Sequence, residues 1–516
     1  MNAKVYAART SRLMTDGLVL SKLINDSVPD TIDERILNKP NKGKKLSQFQ
    51  MIENNNLVIN SAKGFAHVVN IGPTDLIEGR EHLILGLIWQ IIRRGLLSKI
   101  DIKLHPELYR LLEEDETLEQ FLRLPPEQIL LRWFNYHLKA ANWHRRYTII
   151  SFDTNFSVTN FSKDVQDGEN YTILLNQLDS VKCSRGPLQT RDLLQRAEQV
   201  LQNADKLDCR KYLTPASLVA GNPKLNLAFV ANLFNTHPGL DPLDETEQVE
   251  IEDFDAEGER EARVFTLWLN SLDVEPSVQN FFEDLKDGRI LLQAFDKVIP
   301  GSVNWKHVNK VPPSGEMSRF KMVENTNYAV EVGKHSGFSL VGIQGADITD
   351  GQRTLTLGLV WQLMRANIVA TLKSLGSKTG RDVTDQEIVR WANQMAQKGG
   401  KSTQIRSFKD PSLATGVFLL DVLNGLKPGY VDYNLVTPGR TEEDAYLNGI
   451  PASLIVLTIA KLAISIARKI GAVIFLLPED ITQVRARLVF PLSLTFNANS
   501  LDFDVRWEFD GSSTLI

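Results

Sequence analysis

The strongest constraint on how this chain can fold is an internal repeat. The stretch Phe320–Arg365 has a second copy at Phe49–Arg93. Phe49, Met51, Glu53 and Asn54 match Phe320, Met322, Glu324 and Asn325. Ile71, Asp75 and Gly79 match Ile343, Asp347 and Gly351, and Gly86, Trp89 and Gln90 match Gly358, Trp361 and Gln362. The offset stays at 271 or 272 residues over some 45 positions, a register that chance does not hold.

Two further landmarks extend the repeat to four members. An Asp-Gly pair opens an apolar run at Asp16-Gly17, Asp167-Gly168 and Asp287-Gly288, with a degenerate version at Thr415-Gly416. Apolar residues at i, i+3, i+4 and i+7 predict an amphipathic helix in each run, with the glycine at its opening turn. A tryptophan-bearing helix precedes three of these landmarks, at Ile129–Leu138, Ala262–Leu272 and Glu387–Met395. None precedes Asp16, so the first unit is expected to expose apolar surface. Losing about 400 Å² of burial forfeits on the order of 10 kcal/mol, and a poorly folded, protease-sensitive first unit follows as an expectation.

The units span about 1–113, 126–239, 260–372 and 384–490. Units one and three are alike, and so are two and four, which share Tyr212–Val219 against Phe475–Thr482. The order is a duplicated pair. Unit two carries a surplus at 147–157, unit four an interruption at 449–459, and 491–516 form a divergent tail. Those interruptions suggest either intervening sequence translated as coding or natural loop extensions. Residues 241–259 hold ten acidic residues and no basic ones, and read as an exposed linker. Lys373–Arg381 reads as a Gly/Ser-rich connector. Almost nothing in the well-matched parts alternates at period two, so an all-α fold of helical bundles is expected.

Composition narrows the function classes. A net charge of −5 over 516 residues leaves no footprint for nucleic acid. Two cysteines, Cys183 and Cys209, exclude a disulfide scaffold and fit a reducing, cytoplasmic setting. The apolar stretch from Gly449 to Leu477 carries Pro451, Lys461, Arg468 and Lys469, which argues against membrane insertion. Gly399-Gly400-Lys401-Ser402 resembles the end of a phosphate loop, but Met395 stands where its first glycine belongs. Asp253–Gly258 imitates the start of a calcium loop, yet its twelfth position is Val264. His137 and His144 read as structural histidines, Asp75 and Asp347 as helix caps or turn residues, and Trp89 and Trp361 as core. No catalytic constellation appears, and no cofactor or metal is expected.

The motif series resembles the calponin-homology (CH) domain: a Trp helix, DG-x-x-L-x-x-L, F-x-M-x-E-N, I-x-x-x-D-I and G-L-x-W-Q. Four such domains in two tandem pairs resemble the fimbrin/plastin family. That resemblance implies an actin-filament cross-linker in which each pair is one actin-binding half, acting as a monomer in the cytoplasmic actin cytoskeleton. It also implies where filament contacts lie: the last long helix of the first domain in a pair and the first helix of the second. These are His82–Leu97 with Ile129–Asn142, and Thr354–Asn367 with Glu387–Gln394. The candidate cations are Arg93, Arg94, Lys99, Arg132 and Lys139 in the first pair and Arg365 in the second. The calcium-binding modules that the family carries ahead of its CH domains find no match in this sequence. The rival reading is a one-sided actin or microtubule binder in which only the second pair works.

Overall fold

The computed structural model describes residues 14–484. Breaks fall at 42–43, 67, 69, 103, 114–115, 123, 144–156, 244–255, 279, 313–316, 377–383 and 437–451. No strand occurs among the described residues. The first domain contains α1 (Leu18–Ser27), α2 (Gln48–Lys63), α3 (Pro73–Ile77) and α4 (Glu81–Leu97). The second contains α5 (Pro126–Ala140), α6 (Glu169–Leu178), α7 (Leu193–Asp205), α8 (Pro215–Val219) and α9 (Pro223–Thr236). The third contains α10 (Ala256–Ser271), α11 (Arg289–Val298), α12 (Arg319–His335), α13 (Gly345–Thr349) and α14 (Arg353–Gly376). The fourth contains α15 (Asp385–Lys398), α16 (Val417–Leu426), α17 (Ala452–Lys469) and α18 (Pro478–Thr482).

The repeated motifs each have a local physical cause. Gly17, Gly168, Gly288 and Gly416 all sit in the left-handed region, at φ 76°, 76°, 74° and 69°, immediately before α1, α6, α11 and α16. An L side chain is strained there. At Gly288 a Cβ would also lie 2.9 Å from the backbone of Asn325 and Thr326. The E-N pair explains that approach. The buried Asn325 amide donates to the carbonyls of Asp287 and Asn309 at 3.0 and 3.1 Å, and its Oδ1 accepts the Asn309 N–H at 2.8 Å. Asn54 repeats this on Asp16 and Asn38. The preceding glutamate takes the loop asparagine's side chain, Glu53 from Asn38 and Glu324 from Asn309. Asp75 and Asp347 accept the N–H groups of Gly72 and Gln344 at 2.7 and 2.8 Å, capping α3 and α13 as the sequence predicts.

The chain falls into two compact units. One holds residues up to Ile91 and from Asp255 onward; the other runs from Ile92 to Phe254. The division falls inside α4.

In the larger unit the first domain packs on the fourth, α2 lying against α17. Polar contacts cross the seam, some of them fully buried. Ser465 accepts the Asp33 N–H at 3.0 Å, Lys469 donates to the Ile36 carbonyl at 2.6 Å, Asn60 donates to the Arg468 carbonyl at 2.9 Å, and Lys461 pairs with Asp30 at 2.7 Å. Tyr430 donates to the Glu53 carboxylate, and the Tyr430 hydroxyl is pushed up by burial and by that carboxylate. The Arg468 guanidinium donates to the carbonyls of Thr31 and Ile474, and burial lowers its pKa to about 9. In the third domain α10 packs on α14, where Leu357 is 5% exposed; its repeat equivalent on α4, Leu85, is 52% exposed. A buried core survives in the first domain around Leu20, Ile24, Leu57 and Ile91.

In the smaller unit the Trp133 ring is fully buried, edge-on to Phe234 at 5.5 Å, and its indole N–H donates to the Pro238 carbonyl at 2.6 Å. His137 is buried beside it and shares that carbonyl at 3.1 Å, as a structural histidine would.

Some expectations meet different geometry. The helix α14 runs to Gly376, so Lys373–Gly376 of the expected connector are helical; Ala370, Leu372, Lys373 and Leu375 are all good helix formers. Residues 452–459 of the expected interruption form the first two turns of α17, with Ile455 and Ile459 buried. Ala256–Glu259 of the acidic stretch already belong to α10. Trp89 and Trp361 are half-buried rather than enclosed. His144, most of 147–157, residues 449–451, the tail 491–516 and the acidic residues 244–255 lie outside the described residues.

Candidate functional site

Two helix pairs carry the cations singled out from sequence. In the first pair, the end of α4 meets the start of α5. The helix α5 begins at Pro126, which fits the first helical position, and Glu127 follows in its first turn where the helix dipole favours an acid. Arg93, near the end of α4, reaches Glu127: its Nε donates to Oε1 at 3.1 Å, and Nη2 donates to the same oxygen. The α9 side chain Asn235 ties in the same region, donating to the Leu96 carbonyl at 3.0 Å.

Arg132 lies one turn ahead of Tyr136 on α5 and is also engaged within the protein. Its guanidinium pairs with Glu116, with one N–H···O distance of 3.1 Å, and stands 5.7 Å from the Phe121 ring centre. The Arg132 hydrogen bond holds the Glu116 carboxyl below the usual carboxylate range. Arg94 and Lys99 on and after α4, and Lys139 at the end of α5, present exposed side chains, although protein packed around the Arg94 guanidinium desolvates it and lowers its pKa. The structure thus divides the sequence candidates. Arg93 and Arg132 are held in pairs, whereas Arg94, Lys99 and Lys139 stand on the surface.

The second pair repeats the first contact. Arg365 on α14 donates through Nη2 to Asp385 Oδ1 at 2.7 Å. Asp385 is the first residue of α15, and the Thr384/Glu387 capping box fixes that helix start. Sequence reasoning missed Glu127, Asp385 and Glu116. A signal for the first two existed: each acid stands six residues before the tryptophan of its helix, Trp133 or Trp391.

Among the described residues no group of three or more His, Cys, Asp or Glu side chains is arranged to hold a metal ion. What the two helix pairs offer is surface, with exposed cations on the first and one ion pair joining the helices in each.

Comparison with known proteins identifies the repeated module. The calponin homology (CH) domain model matches residues 9–96, 124–239, 259–368 and 382–498. Fimbrin of Saccharomyces cerevisiae is 71% identical over 476 residues, covering 92% of this chain and 71% of that protein. Fimbrin of Schizosaccharomyces pombe is 71% identical over 477 residues, covering 92% of this chain and 74% of that protein. Plastin-3 of Homo sapiens is 44% identical over 488 residues. The crystal structure of the actin-crosslinking core of Schizosaccharomyces pombe fimbrin superposes with a TM-score of 0.77 at 62% identity, over 95% of this chain and 93% of that one. With four CH domains in the same order and identity sustained over nine-tenths of its length, the chain belongs to the fimbrin family.

Proposed function

We propose that this protein binds actin filaments and cross-links them into tight bundles, with one tandem CH pair forming each filament-binding half. The observation that carries the reading is the match, across 95% of this chain and 93% of the other, to a structure described as an actin-crosslinking core. Internal duplication supports it: a cross-linker needs two binding surfaces, and the two pairs repeat both their helices and the ion pair between them. Two modules on one chain make the second attachment effectively intramolecular once filaments lie side by side.

The domain reading taken with this is 1–113, 126–239, 260–372 and 384–490. Of the six candidate cations, Arg94, Lys99 and Lys139 on the first pair are the ones assigned to direct filament contact, while Arg93, Arg132 and Arg365 belong to the same surfaces but are engaged in ion pairs within the protein. Exposed cations suit an acidic partner surface electrostatically. The protein acts as a monomeric structural cross-linker in the cytoplasm and carries out no catalysis. Among the described residues no helix is long and apolar enough to cross a membrane.

Sedimentation tests the reading. Filaments mixed with the protein should pellet at low speed, where single filaments stay in solution. Co-pelleting only at high speed would mean that one half alone binds, and absence from both pellets would remove actin as the partner.

A further inference from the structure

The Arg93–Glu127 and Arg365–Asp385 pairs are the same contact made twice. Arg93 and Arg365 are equivalent at the repeat offset of 272 residues, and Glu127 and Asp385 each stand six residues before the helix tryptophan. The paired residues are 34 apart in the first half and 20 apart in the second. Connecting segments that differ so much in length do not impose one pairing as a by-product. The shared feature is the junction itself: the last long helix of the leading CH domain against the first turn of the following one. Arginine suits this place, since two N–H groups of Arg93 reach one carboxylate and the planar fork fixes direction as well as distance. The acids lie in the first turn of α5 and α15, where the helix dipole favours negative charge independently of the arginine.

We propose that these two ion pairs are interdomain clasps. They set the angle between α4 and α5 and between α14 and α15, and Arg93 and Arg365 act as positioning residues that do not touch the filament. The inference deepens the filament-binding reading above and rests on it. The side chains are about one-quarter to three-fifths exposed, 33% and 27% in the first clasp and 36% and 58% in the second. Solvent screening therefore keeps each clasp weak, and breaking one shifts geometry without unfolding a domain. Because both helices of a half must meet the filament together, a misplaced helix weakens the whole half.

The test uses the full chain and charge exchange. Variants R93E/R365E and E127R/D385R break both clasps, and the variant carrying all four changes rebuilds them with reversed polarity. Spin labels at A370C and Q397C, exposed positions on α14 and α15, report interhelix distance without filaments. Filament affinity is read separately by high-speed sedimentation. The two broken variants should broaden the distance distribution and weaken binding roughly two- to fivefold, the range a partly exposed pair supports. The fourfold variant should restore both. Unchanged distances in the broken variants would overturn the clasp. Restored distances with binding still lost would also overturn it, since Arg93 and Arg365 would then touch the filament. If the unaltered protein binds no filament, the actin reading fails, and the distances alone decide whether the clasp exists.

Discussion

Replacing Asn325 with alanine tests whether the E-N motif is a structural staple. Asn325 is fully buried. Three of its hydrogen bonds reach backbone groups, two to the carbonyls of Asp287 and Asn309 and one from the Asn309 N–H, at 2.8–3.1 Å, and its amide also donates to the Met317 sulfur at 3.7 Å. Alanine leaves those three backbone groups without this partner in a dry site. At about 1 kcal/mol for each bond, the loss is about 3 kcal/mol. Local opening of α11 and α12 should then rise about 100-fold, read as faster amide hydrogen exchange in those helices. Asn325→Asp separates packing from hydrogen bonding. It keeps the volume but turns a donor into an acceptor facing two carbonyls, so it should cost at least as much as alanine. Asn54→Ala in the first domain should match Asn325→Ala, because Asn54 makes the same three bonds. Exchange in the third domain accelerated less than fivefold by Asn325→Ala would refute the staple. So would an Asn325→Asp variant as stable as the parent.

Two further outcomes follow from burial. Leu357→Gln should cost the third domain about 2–3 kcal/mol, whereas Leu85→Gln should stay within about 0.5 kcal/mol, as measured by amide exchange on α14 and α4; equal costs would mean that the Leu85 face is covered. Burial holds the His137 imidazole below its ordinary pKa, against the opposing pull of the Pro238 carbonyl. The folded ring therefore stays neutral where the unfolded ring, with a pKa of about 6.5, takes up a proton. Its contribution is complete above about pH 6.5 and is lost as pH falls from there towards the folded pKa. The urea midpoint of the second domain should drop between pH 7.5 and pH 5.5, and His137→Gln should remove that dependence.

Much of the fold was legible because its motifs are local. The Asp-Gly pairs mark left-handed turns, Asp75 and Asp347 mark caps, and tryptophan spacing marks the first helix of a domain; each cause lies within a few residues of its signal. Asn54 and Asn325 stood out as repeated, but their bonding partners lie 16 and 38 residues away, so only the structure supplies the reason. The candidate site was half legible. Charge and helix position found the cations. Which of them are exposed depends on the partners Glu127, Asp385 and Glu116, and an acid next to a helix start reads equally well as a dipole partner or a capping residue.

The larger unit, in which the first domain joins the fourth, cuts across the tandem pairs of the sequence. The reason lies in α17. Aligning Phe475–Thr482 with Tyr212–Val219 sets α17 against α7 at an offset of 263 residues. The helix α7 is amphipathic, with Gln202 and Asp205 exposed. Their counterparts on α17, Ser465 and Arg468, are buried, the first accepting from the Asp33 N–H and the second donating to the Thr31 carbonyl. Between them Ile466 and Ala467 are buried too, as are Leu462, Ala463 and Ile464 in the preceding turn. A helix buried on both faces over its last two turns, as α17 is, belongs inside something larger than its own domain. In the second domain the same helix keeps a wet face and its domain needs no such neighbour. In the fourth domain that face is dry, and the first domain's α2 covers it. Glycine at position 64 permits the approach: a Cβ there would lie 2.6 Å from the Arg468 guanidinium and 2.9 Å from the Ile474 carbonyl. At the same offset Gln199 and Asn203 of α7 become Leu462 and Ile466 on α17, both buried, and that loss of polar residues, visible by comparing two stretches of one chain, is the sequence's own sign that the fourth domain carries a second packing surface.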